Sequence, residues 1–264
     1  MGILNTTPDS FFDGGRWQQP EAAAERARVM IEQGADVIDI GGESTRPKAA
    51  SISLEEELER VLPAIRLISE LSIPISIDTT KSAVARQAVA AGASIINDVS
   101  GGRADPTILK VAAETGAGLI LMHSRGTPQT MQDLARYDSL IEDVLSELST
   151  SLEAAKSAGV DPEQIAIDPG FGFAKTTGQS LELLKNFERF QLFNRPVLAG
   201  ISRKSFMGAI VDRTPENRLA ASLAAQCLAA LRGCDIIRTH DVCETVQTVK
   251  MLNAIVAAQP LDVR

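Results

Sequence analysis

The chain has 264 residues, a net charge of −8, 44% hydrophobic residues and three cysteines. That length suits one α/β barrel, one doubly wound domain or two small domains, and the apolar fraction supports a large core and excludes a disordered chain. The acidic balance argues against a generic nucleic-acid surface but allows an anionic small substrate held by a few cations in a cleft.

In chain order, the first strand-like run is Gly2–Asn5, and a long polar stretch follows it up to Trp17. Helical periodicity covers Pro20–Gly34, and then Val37–Pro47 reads VIDIGGESTRP, a second apolar run that stops on polar residues. A helix is expected over Leu54–Ser72. The run Ile75–Thr80 (ISIDTT) comes next, then a helix over Ser82–Gly92 and the run Ile95–Ser100 (IINDVS). Pro106–Gly116 is helical by pattern, Gly118–Met122 is strand-like, and Ser139–Gly159 carries Leu140, Ile141, Val144, Leu145, Leu148 and Leu152 at helical spacing. The second half repeats the alternation: Ile165–Lys175 (IDPGFGFAK at its end), a helix over Ser180–Phe190, Val197–Lys204, a helix over Asn217–Gly233, Ile236–Asp241, and a last helix over Val242–Ala258. Glycines at Gly34, Gly92, Gly116, Gly159 and Gly233 suit helix C-termini, and Pro20 and Pro106 suit first turns.

Eight strand–helix units on a chain of this length predict the fold class α/β, a single-domain (β/α)8 TIM barrel spanning 1–264. The alternative, a doubly wound sheet, requires a glycine fingerprint opening the first helix. The first strand leads instead into NTTPDSFFDGGRW. Apolar runs of this kind are buried parallel strands covered by helices on their outer faces, and ligands sit past their C-terminal ends. Asp39, Asp78, Asn97, Asp168, Lys204, Arg238 and His240 are therefore expected around one pocket.

A row of carboxylates and an amide in a barrel mouth suits a planar ligand with adjacent N–H groups, which a carboxylate accepts in bidentate fashion. The cations after the seventh and eighth strands, Ser202-Arg203-Lys204 and Arg238-Thr239-His240, stand where barrels often hold phosphate; Asn5 closes the ring beside them. The alternative for Arg238 is a plain ion pair with Asp241. The two phenylalanines of GFGF offer aromatic faces for stacking. No Ser/His/Asp order, HExxH string, P-loop or Cys/His cluster is present. The site is thus expected to bind, orient and stabilise charge without a covalent nucleophile. Cys227, Cys234 and Cys243 are too few for a disulfide framework, and no apolar run has the length of a membrane span or a signal peptide; the expectation is a cytoplasmic protein with no membrane and no nucleic-acid partner.

Taken together, MGILNTTPDSFFDGG (1–15), DIGGESTRP (39–47), IDTTK (77–81), INDVSGG (96–102), MHSRGTPQTM (122–131), DPGFGFAK (168–175), SRKS (202–205) and RTHDV (238–242) resemble dihydropteroate synthase over essentially the whole chain. The resemblance implies a pterin-binding barrel of folate biosynthesis, the sulfonamide target. Its members join 6-hydroxymethyl-7,8-dihydropterin diphosphate to p-aminobenzoate with Mg2+, these small molecules being the partners. It implies pterin binding by Asp39, Asp78, Asn97, Asp168 and Lys204, diphosphate binding by Asn5, Thr45, Arg238 and His240, and Mg2+ on Asn5. It places p-aminobenzoate near Thr45, Arg46, Pro47, Phe173, Ser202 and Lys204, with Asp168, Lys204 and Arg238 carrying catalysis and a homodimer formed through the last helices. Two alternatives stay open: a non-catalytic pterin-binding homologue and a methyltetrahydrofolate-binding methyltransferase domain. Thr6, Phe12, Lys48, Ala174 and Gln179-Ser180 depart from the family's usual residues. Asp9 and Asp13 are candidates for ordering a closing first loop. Because Met1 stands directly before the first strand, that strand is expected to be truncated and frayed, weakening Asn5.

Overall fold

In the computed structural model, which describes residues 1–6 and 19–258, eight parallel strands alternate with helices. The strands are β1 (Gly2–Asn5), β2 (Ile38–Gly41), β3 (Ile75–Asp78), β4 (Ile95–Asp98), β5 (Gly118–Met122), β6 (Ile165–Asp168), β7 (Leu198–Ala199) and β8 (Ile236–Ile237). β1 to β6 form one sheet in sequential order and β7 pairs with β8. Parallel bridges Ile167↔Val197 and Gly2↔Thr239 join the two sheets, so the barrel is closed. β1, expected to fray, is bonded along both edges: Gly2 N donates to Val37 O at 2.8 Å and Ile3 N to Thr239 O at 2.9 Å.

The helices are α1 (Gln19–Glu32), α2 (Leu54–Ser69), α3 (Ser82–Ala90), α4 (Thr107–Thr115), α5 (Leu140–Ser157), α6 (Thr177–Lys185), α7 (Ser205–Val211), α8 (Leu219–Leu231) and α9 (Val242–Ala257). α7 lies outside the expected set; its SFMGAIV sequence is too short for a helical period to show, and Gly208 interrupts it. α6 starts earlier than its apolar pattern because Thr176 and Gln179 form a reciprocal capping box, and Asn186 separates it from a 3-10 turn over Phe187–Phe193. Gly116 ends α4 in the left-handed conformation (φ 70°), as its position predicts.

Side chains alternate across each strand, and that alternation builds the site. Ile38, Ile40, Ile75, Ile77 and Ile96 face outward into the core shared with α1 to α5. A second core gathers Phe171, Phe187, Phe190 and Phe206 between β6, β7 and α5 to α8. Inward-facing Ile120, Ala166 and Leu198 fill the barrel interior, with Ile95, Ile236 and Met1 packed against them. Two residues further along the same inward rows stand Asn97, Met122, Asp168 and Arg238. Strand register then levels them: Asn5 pairs with Gly41, Gly41 with Asp78, Asp78 with Asn97, and Met122 with Asp168.

Candidate active site

A cleft at the C-terminal end of the barrel is lined by Thr45, Asp78, Asn97, Asp168, Lys204 and Arg238, with Val99, Met122, Phe171, Phe173 and Gly200 completing the wall. Seven of the residues expected to form the site, Phe173 included, therefore converge. A larger, mostly apolar cavity of about 320 Å³ lies at the opposite end, between Met1, Ile95, Ile120 and Ile236. It lacks convergent polar side chains at strand C-termini, so the chemistry belongs to the first cleft.

Asp39, expected in the pocket wall, sits one layer deeper. Its register partner is Ser76, two residues before Asp78, and it is fully buried. It accepts Arg238 Nε at 2.6 Å and Asn97 Nδ2 at 3.3 Å. Arg238 does not pair with Asp241; its Nη2 donates to Asp78 Oδ2 at 2.8 Å, and Asp241 pairs with Arg203 instead. The expected cationic end and carboxylate wall are thus one network joined through Arg238. Burial pushes the Asp78 carboxyl up to about 7, with Arg238 opposing and Asp39 adding to the rise. Burial also works against the Arg238 charge, but the two carboxylates more than offset it and hold the proton tightly.

Asp168 closes the opposite wall. Its Oδ1 accepts Gly170 N at 2.7 Å, which fixes the carboxylate and leaves Oδ2 toward Gly200 and the cleft. Burial raises its pKa against that hydrogen bond and the nearby Lys204. Lys204 Nζ lies 4.2 Å from the centre of the Phe173 ring, and burial brings it down to about 8. Both GFGF phenylalanines border the cleft, but Phe171 is stacked 6.1 Å from Phe187 and 6.4 Å from Phe206, so Phe173 is the one set beneath Lys204.

Ser202 is buried and acts on its neighbour: its Oγ accepts His240 N at 3.2 Å and meets His240 Nδ1 at 3.1 Å. Burial, with Arg238 and Arg203 close by, lowers the His240 ring to about 4, so it is neutral at neutral pH. Arg46 and Pro47 are exposed on the β2–α2 loop, directly after the cleft-lining Thr45. That loop is tied down by Lys48 N donating to Pro128 O at 2.8 Å and by Gln129 Nε2 reaching Ala49 O. Asn5 ends β1, half-buried, next to the β8 end that carries His240. Asp9, Asp13 and nearly all of the first loop fall outside the described residues.

Sequence reasoning missed three buried polar residues. Asp98 accepts Ser100 N at 2.8 Å and Gly102 N at 2.6 Å, shaping the turn after β4. His123, directly after β5, and Lys175, after β6, meet at 2.8 Å in the interior. Their signal was available: His123 is one of two histidines in the chain and follows an apolar strand. A carboxylate–amide wall, two cations and an aromatic face suit a planar nitrogen heterocycle bearing an anionic group, beside a second aromatic ligand.

The description "Pterin binding enzyme" belongs to the family model that matches residues 1–240. A dihydropteroate synthase of Synechocystis sp. is 49% identical over 257 residues, covering 97% of this chain and 89% of the relative. The solved structure of Xanthomonas albilineans dihydropteroate synthase with 4-aminobenzoic acid superposes with a TM-score of 0.92 at 44% identity, covering 98% of this chain and 93% of that one. The same enzyme in complex with 7,8-dihydropteroate gives a TM-score of 0.89 at 41% identity, covering 98% and 94%.

Proposed function

The chain belongs to the dihydropteroate synthase family of pterin binding enzymes, and we propose how its cleft carries out that family's reaction. The reaction transfers a pterinylmethyl group from 6-hydroxymethyl-7,8-dihydropterin diphosphate to p-aminobenzoate, releasing diphosphate and forming 7,8-dihydropteroate for folate biosynthesis. The observation that carries the assignment of roles is the convergence of Asp78, Asn97, Asp168, Lys204 and Arg238 on one cleft beside Phe173 and Thr45.

Asp168, with its carboxylate already oriented by Gly170 N, accepts adjacent N–H groups of the pterin, while Asn97 and Asp78 satisfy its far edge. Asp39 serves from behind, holding Asn97 and Arg238. As pterin engages Asp78, the Arg238 Nη atoms are released toward the diphosphate, and the Nε–Asp39 bond keeps the guanidinium at the mouth. His240, held by Ser202, adds a neutral donor, and Thr45 a hydroxyl. The C–O bond breaks with its electron pair leaving on the diphosphate. The electron-rich pterin stabilises the exocyclic carbon, and the arylamine nitrogen forms the new C–N bond and loses a proton, an SN1-like course. Phe173 supports the arylamine ring, and Lys204 bridges the two sites.

Magnesium is tested by its donors. Among the described residues no three His, Cys, Asp or Glu side chains converge to hold a metal alone. The Asn5 carboxamide offers one hard oxygen, which fits an ion that takes its other ligands from diphosphate and water. Asn5 would hold the ion there, and the chemistry the ion would supply is neutralisation of charge on the leaving group.

The family match over residues 1–240 supports reading residues 1–264 as one pterin-binding domain, and the three free cysteines support a reducing, cytoplasmic setting. No described helix is long and apolar enough to cross a membrane. Arg238→Ala is expected to abolish turnover while calorimetry still detects binding of free hydroxymethyl dihydropterin, and a chelator is expected to stop turnover likewise. Near-normal turnover of the variant would remove the diphosphate role.

A further inference from the structure

The MHSRGTPQTM segment, which starts at the last residue of β5, contributes only Met122 to the lining of the cleft, and its His123 and Arg125 join a polar network behind it. His123 is fully buried, with Nε2 3.1 Å from Glu147 Oε2 and Nδ1 2.8 Å from Lys175 Nζ. Lys175, also buried, donates to Gly170 O and Phe173 O, each at 3.0 Å. Glu147 is shared with Arg125, whose Nε donates to Oε1 at 2.9 Å. The Arg125 guanidinium also stacks 3.9 Å over the Tyr137 ring, and Tyr137 Oη donates to Ala174 O at 2.9 Å. Gln132 Nε2 reaches Gly172 O at 3.1 Å.

Proton count fixes the polarity of this chain of contacts. Glu147 is held well below the usual carboxylate range, at about 2: burial opposes its charge, but the hydrogen bonds from His123 and Arg125 outweigh that. An ionised Glu147 requires a proton on His123 Nε2, so Nδ1 accepts. Lys175 then faces three acceptors, which only an ammonium can satisfy, although burial presses its pKa down. Lys175 of the turn itself bonds the carbonyls of Gly170 and Phe173, while Gln132 and Tyr137, from the β5–α5 connection, bond those of Gly172 and Ala174. The turn these carbonyls belong to carries Phe173 beneath Lys204.

We propose that Lys175, oriented through His123 and Glu147, is a positioning residue that fixes the β6–α6 turn so that Phe173 presents its ring to the arylamine. The network touches no substrate; its effect passes through one turn and falls on the second substrate. The inference rests on the site reading above, in which Phe173 supports p-aminobenzoate.

The test uses Lys175→Met, which keeps length and removes all three donors; Glu147→Gln, on a half-exposed side chain, cuts the same arm should the first variant fail to fold. Hydrogen exchange of the residue 170–174 amides is expected to quicken about tenfold. The KM for p-aminobenzoate is expected to rise about tenfold, the scale of a small misplacement at a binding surface, with the KM for the pterin diphosphate within about twofold. Unchanged exchange, or the two KM values rising together, would overturn the inference. Should the unmodified chain make no dihydropteroate, the site reading fails, and the exchange measurement alone still decides whether Lys175 fixes the turn.

Discussion

Gly170 and Gly172 stand two residues apart with nearly equal φ, 73° and 77°, yet they bear different loads. A Cβ on Gly170 would lie 1.9 Å from the His123 carbonyl oxygen, whereas one on Gly172 meets nothing nearer than Lys204 Cδ at 3.8 Å. Left-handed backbone alone costs a residue with a Cβ about 1–2 kcal/mol, and a forced clash in a packed region about 1–3 kcal/mol more. Gly170→Ala is therefore expected to destabilise by about 2–5 kcal/mol and Gly172→Ala by about 1–2 kcal/mol in urea unfolding. Equal losses would contradict the close approach of the turn to β5. Ala174 already adopts φ 50°, and its buried methyl packs with Met122, Met131 and Phe173. Burial of that methyl, worth about 0.8 kcal/mol, compensates part of the backbone penalty.

At the level of elements, the inner ends of the strands make the site and the outer faces of the last helices make a different surface. α8 and α9 pack together, and α9 leaves Met251, Ile255 and Val256 at 63%, 58% and 67% exposure. Ile210 on α7 and Leu231 on α8 are also more than half exposed. So many large apolar side chains on neighbouring helices suit a self-complementary contact, the surface through which a homodimer would form. Sedimentation is expected to give twice the chain mass, falling to a single chain for Met251→Glu combined with Ile255→Glu. A dimer that survives both charges would move the interface elsewhere. The opposite pressure acts on the β2–α2 loop, where Lys81 bridges Glu43 and the buried Glu57 and so ties the loop's start to α2 and α3.

At the level of the whole molecule, the barrel was legible because period-2 alternation and register act together. Apolar residues at Ile75 and Ile77 commit to the outer core, and Asp78 is then forced into the mouth level with Asn97. What remained illegible was depth and pairing. Asp39 looks like Asp78 in sequence, but its strand continues two residues further, so it lies beneath the pocket. Arg238 could be read as pairing with its neighbour Asp241; long-range geometry gave Asp241 to Arg203 and Arg238 to two carboxylates. The two phenylalanines of GFGF are likewise told apart by fold alone: both border the cleft, but Phe171 stacks on Phe187 and Phe173 lies beneath Lys204. His123 and Lys175 lie 52 residues apart, and the pairing of β5 with β6 brings them into contact. The central claim is that this single mouth joins two substrates. Simultaneous quantification of diphosphate and 7,8-dihydropteroate, with the purified chain, pterin diphosphate and Mg2+, tests it most directly. Equal amounts of both products are expected, formed only when p-aminobenzoate is present; diphosphate released without dihydropteroate, or neither product, would contradict a shared site.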